Sequence, residues 1–290
     1  MTLHGARQFV VGDWASAMAF WRERLVVLPV ILGLALLDVT LEGVAWSWVA
    51  ERFGLRVLDL TGIRIYLSGN AGRVMPAQLG RLIRPEALVR MGRGTPAQCF
   101  KAEASVFVLD VISVVALLAG LGAFLLHPLL GVAVALGVVA ASLFVGGRLA
   151  DALSGTRLGL PEGFWWSWQT PAIVAVQMAG WIVHGLAFYM LIVDLPGSMG
   201  LWDSLFMAPG AAVLGVGTGL PGGVGATEGL LGLSLQMNRV PPEHLAVVVA
   251  AFRLITFWCW VAVGWAFLIG LRRRSEVPVA PPAGLPGLAD

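Results

Sequence analysis

The chain has 290 residues, of which 58% are hydrophobic and 12% charged, and its mean hydropathy is +0.84. So little polar surface cannot cover a water-soluble globule of this length, which excludes a soluble domain and indicates an integral membrane protein. A net charge of +2 argues against a nucleic-acid partner, because neutralising phosphates needs a concentrated basic surface.

Residues 1–24 read as an N-terminal interfacial segment. Leu25 to Val49 is the first run long enough to span a bilayer. Its length and its acidic residues argue against a removable signal peptide. Asp38 and Glu42 stand one helical turn apart, share a face, and must meet protein or water. They are candidates for proton coupling, with pairing to a downstream arginine as the alternative. Val57 to Met91 is apolar but broken at Gly69, Gly72 and Pro76. Ala104 to Leu126 and Leu129 to Gly147 are uninterrupted spans. Trp165 to Val193 is a fifth candidate span, flanked by Trp165, Trp166 and Trp168 as expected interfacial anchors. It carries His184, a candidate proton relay or a simple hydrogen-bonded histidine. Trp202 to Met237 is broken over Gly215 to Gly225, and Leu245 to Leu271 is the last span. Residues 25–271 thus form a single transmembrane domain, and 272–290, rich in Pro, Gly and Ala, read as a disordered cytoplasmic tail.

The two interruptions carry the functional signal. Pro76-Ala-Gln-Leu-Gly80 is followed by Arg84, and Pro221-Gly-Gly-Val-Gly225 by Glu228. Neither half of either interrupted run covers about 30 Å at roughly 1.5 Å per residue, so both read as re-entrant hairpins. Pro76, Gly80, Pro221, Gly222, Gly223 and Gly225 are the expected structural breaks. Backbone freed there must be satisfied by protein or water, so the breaks should line a cavity. Two breaks in corresponding positions mark a binding site at a repeat interface. Asp110 follows Pro76 by 34 positions and Arg253 follows Pro221 by 32, so the halves look like charge-reversed copies of one plan. The expected pairs are Arg84 with Asp110 or Glu103, and Glu228 with Arg253; a purely structural role for them is the alternative. The fold expected is an all-α polytopic helical bundle with two broken-helix hairpins in an inverted repeat.

Arginines from Arg52 to Arg93, with Lys101 and Arg272 to Arg274, assign those regions to the cytoplasm, and the loop from Asp194 to Asp203 has no Lys or Arg. Five crossings follow, with the N-terminus outside and the C-terminus inside. A second topology, holding Arg22 and Arg24 inside with the Val57 region crossing fully, stays open.

The half-helix after Gly225 and the segment Ala77 to Met91 offer free N–H groups and a positive dipole end, a site for an anion. Arg81 and Arg84 beside them match phosphate oxygens better than lysine does. The expected ligand is a membrane lipid with an anionic head group, and the candidate binding residues are Arg81, Arg84, Glu228, Arg253 and Asp110. Arg73, Arg90 and Arg93 read as topology-setting or surface residues. Gly215 to Gly222 lacks the Gly-Lys-Ser/Thr of a nucleotide loop. Cys99 and Cys259 read as unpaired. Neither an enzyme, a cofactor nor a metal is expected, and a homo-oligomer or a lipid-modifying enzyme is left open as a protein partner.

Met75-Pro-Ala-Gln-Leu-Gly80-Arg-Leu-Ile-Arg84-Pro resembles one signature of the flippase-like membrane family related to the transmembrane domain of lysylphosphatidylglycerol synthase, the YbhN-like family. Pro221-Gly-Gly-Val-Gly225-Ala-Thr-Glu228, with Val240-Pro-Pro and Ala251-Phe-Arg253-Leu-Ile-Thr-Phe-Trp258, resembles its second. Where that family carries Gly-Glu, this chain has Gly80-Arg81. The resemblance implies movement of a lipid or lipid-linked group between leaflets of the cell inner membrane; the missing nucleotide motifs argue against nucleotide hydrolysis, and, as a departure from the family, no aminoacyltransferase domain is expected. Two other readings stay open: a non-transporting partner that presents a lipid to an enzyme, and a proton-coupled small-solute transporter.

Overall fold

Apolar runs of 24 to 32 residues form five helices long and apolar enough to cross a membrane. The computed structural model describes residues 24–156 and 159–275, together with Met18, Trp21 and Arg22. Most of the expected N-terminal interfacial segment, and the tail beyond Ser275, lie outside the described residues.

Helix α1 (Leu28–Arg52) begins with Pro29 in its first turn, where a missing N–H costs nothing. The first interrupted region gives α2 (Leu60–Ser68), two 3-10 segments (Gly69–Val74 and Pro76–Leu82) and α3 (Ile83–Arg90). Helix α4 (Pro96–Phe124) starts from a capping box in which Thr95 and Gln98 satisfy each other's backbone N–H groups. Helix α5 (Pro128–Ala152) is capped by the His127 ring, and α6 spans Gln169–Ile192. The second interrupted region gives α7 (Leu201–Gly217), a 3-10 turn (Pro221–Gly223) and α8 (Ala226–Met237). The last crossing joins α9 (Pro242–Arg253), a π turn (Leu254–Trp258) and α10 (Cys259–Ser275). No strand occurs among the described residues.

Helix α6 begins at Gln169, later than its apolar run suggests. Trp165 is buried and packs edge-on against Phe164, so this tryptophan is a core residue and not an interfacial anchor. Trp166 and Trp168 are exposed.

Helices α1 and α6 lie side by side and antiparallel. Arg24, just before α1, donates to the Leu191 carbonyl near the end of α6, and Arg52 at the end of α1 donates to the Gln169 side chain at its start. Two hydrophobic clusters flank this pair. One joins Val39, Trp46 and Val49 of α1 and Ile173 of α6 with residues of α2, α3 and α4. The other joins Ile31 and Ala35 of α1 and Phe188 and Leu191 of α6 with residues of α7, α8 and α9. Each cluster is organised around one broken region. The middle of α1 and α6, between the clusters, is where their polar residues fall. Helix α5 packs mainly against α4 and buries only Gly131 and Gly147, leaving a broad apolar face outward.

Candidate functional site

Each broken region is shaped by glycine. In the first, Met75 is extended (φ −82°, ψ 143°) between the two 3-10 segments. Gly72 and Gly80 approach so closely that a Cβ on Gly80 would sit 1.8 Å from the Gly72 carbonyl oxygen. The residues from Pro76 to Leu82 are therefore a 3-10 turn, and the expected half-helix beginning at Ala77 starts only at Ile83. In the second, Gly222 (φ 60°) and Gly225 (φ 88°) adopt left-handed backbone that other residues rarely take. The two breaks meet: a Cβ on Gly222 would lie 3.1 Å from the Arg73 carbonyl oxygen.

Between the two clusters lies a cavity of about 210 Å³. Its wall takes Asp38 and Glu42 from α1, Arg73, Arg81 and Arg84 from the first broken region, and Asp110 from α4. Gln177, Trp181 and His184 come from α6, and Gly222, Thr227 and Arg253 from the second region and α9. Asp38 and Glu42 thus share one face, as their spacing implies.

The second-half pair forms as expected. Arg253 Nε donates to Glu228 Oε1 at 2.6 Å, its Nη2 donates to the Gly222 carbonyl at 2.8 Å, and its guanidinium lies 4.1 Å from the Phe257 ring centre. The π turn after Arg253 brings Phe257 into this position. Two expectations need correction here. The Gly225 N–H at the start of α8 donates to Glu228 Oε2 at 2.7 Å, so the chain's own carboxylate already occupies that N-terminal anion position. Glu228 also does not line the cavity, whereas Arg253 does.

In the first half, one of the two expected partners of Arg84 is found, Glu103, and the other is not. Arg84 does not reach Asp110. Its Nη2 lies 2.9 Å from Glu42, its Nη1 3.5 Å from Glu103, its Nε donates to the Tyr66 carbonyl, and its guanidinium covers the Tyr66 ring. Asp110 is held instead by Arg81 at 3.3 Å and by the Trp181 indole N–H at 3.0 Å. The 3-10 turn carries Arg81 toward α4 while α3 turns Arg84 inward toward α1 and α2. Arg73, read from sequence as a surface or topology residue, is on the cavity wall and lies 2.7 Å from Glu42. Arg90 pairs with Glu86 and Arg93 with Asp59, both away from the cavity.

All four wall arginines therefore have a carboxylate partner. Asp38 lies 3.3 Å from His184 Nδ1, and the imidazole packs edge-on against Trp181 and Phe252. The cavity alternates charge of both signs.

Sequence reasoning missed Tyr66, Gln177, Trp181 and Thr227. Gln177 Nε2 donates to the Val106 carbonyl, while its Oε1 and the Thr227 hydroxyl are buried without a hydrogen-bond partner. A signal existed for α6: Gln177, Trp181 and His184 stand at i, i+4 and i+7, a polar stripe within an apolar run.

Five helices long and apolar enough to cross a membrane, with a charged cavity among them, define a multi-pass membrane protein. The profile of the lysylphosphatidylglycerol synthase TM region matches residues 8–264, and the chain belongs to that family. A comparison with curated proteins returns no match.

Proposed function

We propose that the protein moves a lipid, or a lipid-linked head group, between the leaflets of the cell inner membrane through this cavity, without nucleotide hydrolysis. The observation that carries the reading is the origin of the cavity wall: charged side chains from the first broken region and from α1, α4 and α9 converge on one space with His184 of α6 and with Gly222 and Thr227 of the second broken region. Charged groups inside a membrane protein are costly and mark a substrate path.

Architecture supports it. Helices α2 and α3 are about 14 and 12 Å long, α8 about 18 Å and α7 about 25 Å, all short of the roughly 30 Å hydrocarbon thickness. Three spanning helices, α4, α5 and α6, separate the two broken regions. An odd number of crossings brings the regions in from opposite faces, as re-entrant hairpins of an inverted repeat. In that arrangement α1, the first hairpin and α4 correspond to α6, the second hairpin and the α9–α10 span. Such repeats alternate access by moving one half against the other around a central site.

The family match supports a lipid as cargo, and the arginines favour a phosphate-bearing head. The Asp38–His184 contact on the wall favours proton coupling as the energy source. The test is translocation of fluorescent phosphatidylglycerol in proteoliposomes without ATP, with and without a pH gradient. Gradient-dependent transport by the wild type should become gradient-independent in Asp38→Asn. No translocation of any phospholipid by the wild type defeats the reading in favour of a membrane partner that presents lipid to an enzyme.

A further inference from the structure

Glu42 sits between two guanidinium groups. One carboxylate oxygen is 2.7 Å from Arg73 and the other 2.9 Å from Arg84. Two arginines on the two oxygens of one small anion is also the geometry in which the free oxygens of a phosphodiester are held. The three residues come from separate elements: α1, the first 3-10 segment and α3. Relative movement of α1 and the first hairpin therefore separates the anion from its cations without unfolding either.

Glu42 differs from the other compensating carboxylates. It lines the cavity, with 28% of its side chain exposed. Glu228 is tied to Gly225 at the start of its own helix and stays off the wall. Glu103 is buried and accepts the Trp46 indole N–H at 3.1 Å. Asp110 is fixed by the Trp181 indole as well as by Arg81. Arg84, in contrast, keeps Glu103, the Tyr66 carbonyl and the Tyr66 ring when Glu42 is gone, so one half of the anion cradle stays in position.

We propose that Arg73 and Arg84 form the phosphodiester subsite of the cavity and that Glu42 is its tethered occupant. The head-group phosphate takes the place of the carboxylate on entry, and the carboxylate returns as the head leaves. One anion lies between the two guanidiniums in both states, so neither arginine is left uncompensated during exchange. Binding at the subsite stands apart from the translocation reading; only the resetting role of Glu42 rests on it.

The experiment titrates purified full-length protein with glycerophosphoglycerol, a soluble phosphodiester, at pH 7 by calorimetry. Removing the internal competitor in Glu42→Gln should tighten binding at least about tenfold, the effect of one charge-assisted contact no longer having to be broken. Adding Arg73→Gln to that variant should abolish the gain, and uncharged glycerol should show none. Glu42→Asp, which withdraws the carboxylate by one methylene while keeping its charge, should give a smaller gain. In proteoliposomes Glu42→Gln should translocate phosphatidylglycerol more slowly than wild type despite binding its head more tightly. A purely structural Glu42 predicts weaker binding in both variants, and unchanged or weaker phosphodiester affinity in Glu42→Gln and Glu42→Asp overturns the assignment. Absence of transport by the wild type defeats the function reading alone, because the affinity comparison does not need turnover.

Discussion

Arg84 and Arg73 contact the same carboxylate from very different surroundings. Arg84 is 5% exposed and is bound to two carboxylates, a carbonyl and an aromatic ring. Taking away one partner of a buried pair leaves the other uncompensated, at roughly 3–5 kcal/mol. Arg84→Gln should therefore lower the melting temperature strongly. Arg73, whose side chain is 28% exposed, should tolerate glutamine with a change within about 1 kcal/mol. Equal melting temperatures for the two variants would remove this distinction. Glu228→Gln and Arg253→Gln should each destabilise, because Glu228 joins the α8 N-terminus to Arg253, and Arg253 joins it to Gly222. That second-half pair is legible in the sequence because few charges compete for it. In the first half, Arg73, Arg81 and Arg84 face Glu42, Glu103 and Asp110, and spacing alone cannot assign partners among six charges.

At the scale of elements, the close crossing of Gly72 and Gly80 fixes the shape of the first hairpin. Gly80→Ala inserts a methyl group against backbone that has no side chain to move aside. Its cost should reach the upper end of the roughly 1–3 kcal/mol typical of overpacking, and thermal denaturation measures it. A melting temperature equal to wild type would mean that the limbs do not meet. The base of the same hairpin responds to pH. The Arg93 guanidinium and the Gly62 N–H hold the exposed Asp59 carboxyl below the usual aspartate range, where it caps α2. A depressed carboxylate pKa contributes stability above the unfolded value of about 4, and that contribution is lost as pH falls through the folded value. Wild type should thus be more stable than Asp59→Ala near neutrality, with the difference narrowing below about pH 4; a gap that widens on acidification contradicts the capping role. Apolar length made the five spans readable, and proline with glycine made the breaks readable. The 3-10 character of Pro76–Leu82 was not, because 3-10 and α segments use the same residues and only the Gly72 contact decides between them.

Across the whole molecule, the antiparallel α1–α6 pair joins two clusters, and the charged cavity lies where they meet. In the proposed topology the loop between α6 and α7 lies outside and the loop between α5 and α6 in the cytoplasm. After replacement of Cys99 and Cys259, Ser198→Cys should react with an impermeant maleimide from outside and Ser154→Cys only from inside. Labelling of both from one side would break the opposed-hairpin arrangement. The central claim is that lipid head groups pass through the cavity, and blocking it without touching a charge tests that most directly. Ala212 lines the wall, and Ala212→Trp fills the space with an apolar ring. Phosphatidylglycerol translocation should be measured in proteoliposomes for wild type and for Ala212→Trp of matched thermal stability. The account predicts rapid ATP-independent translocation by the wild type and its loss in the variant; equal rates for the two proteins would contradict it.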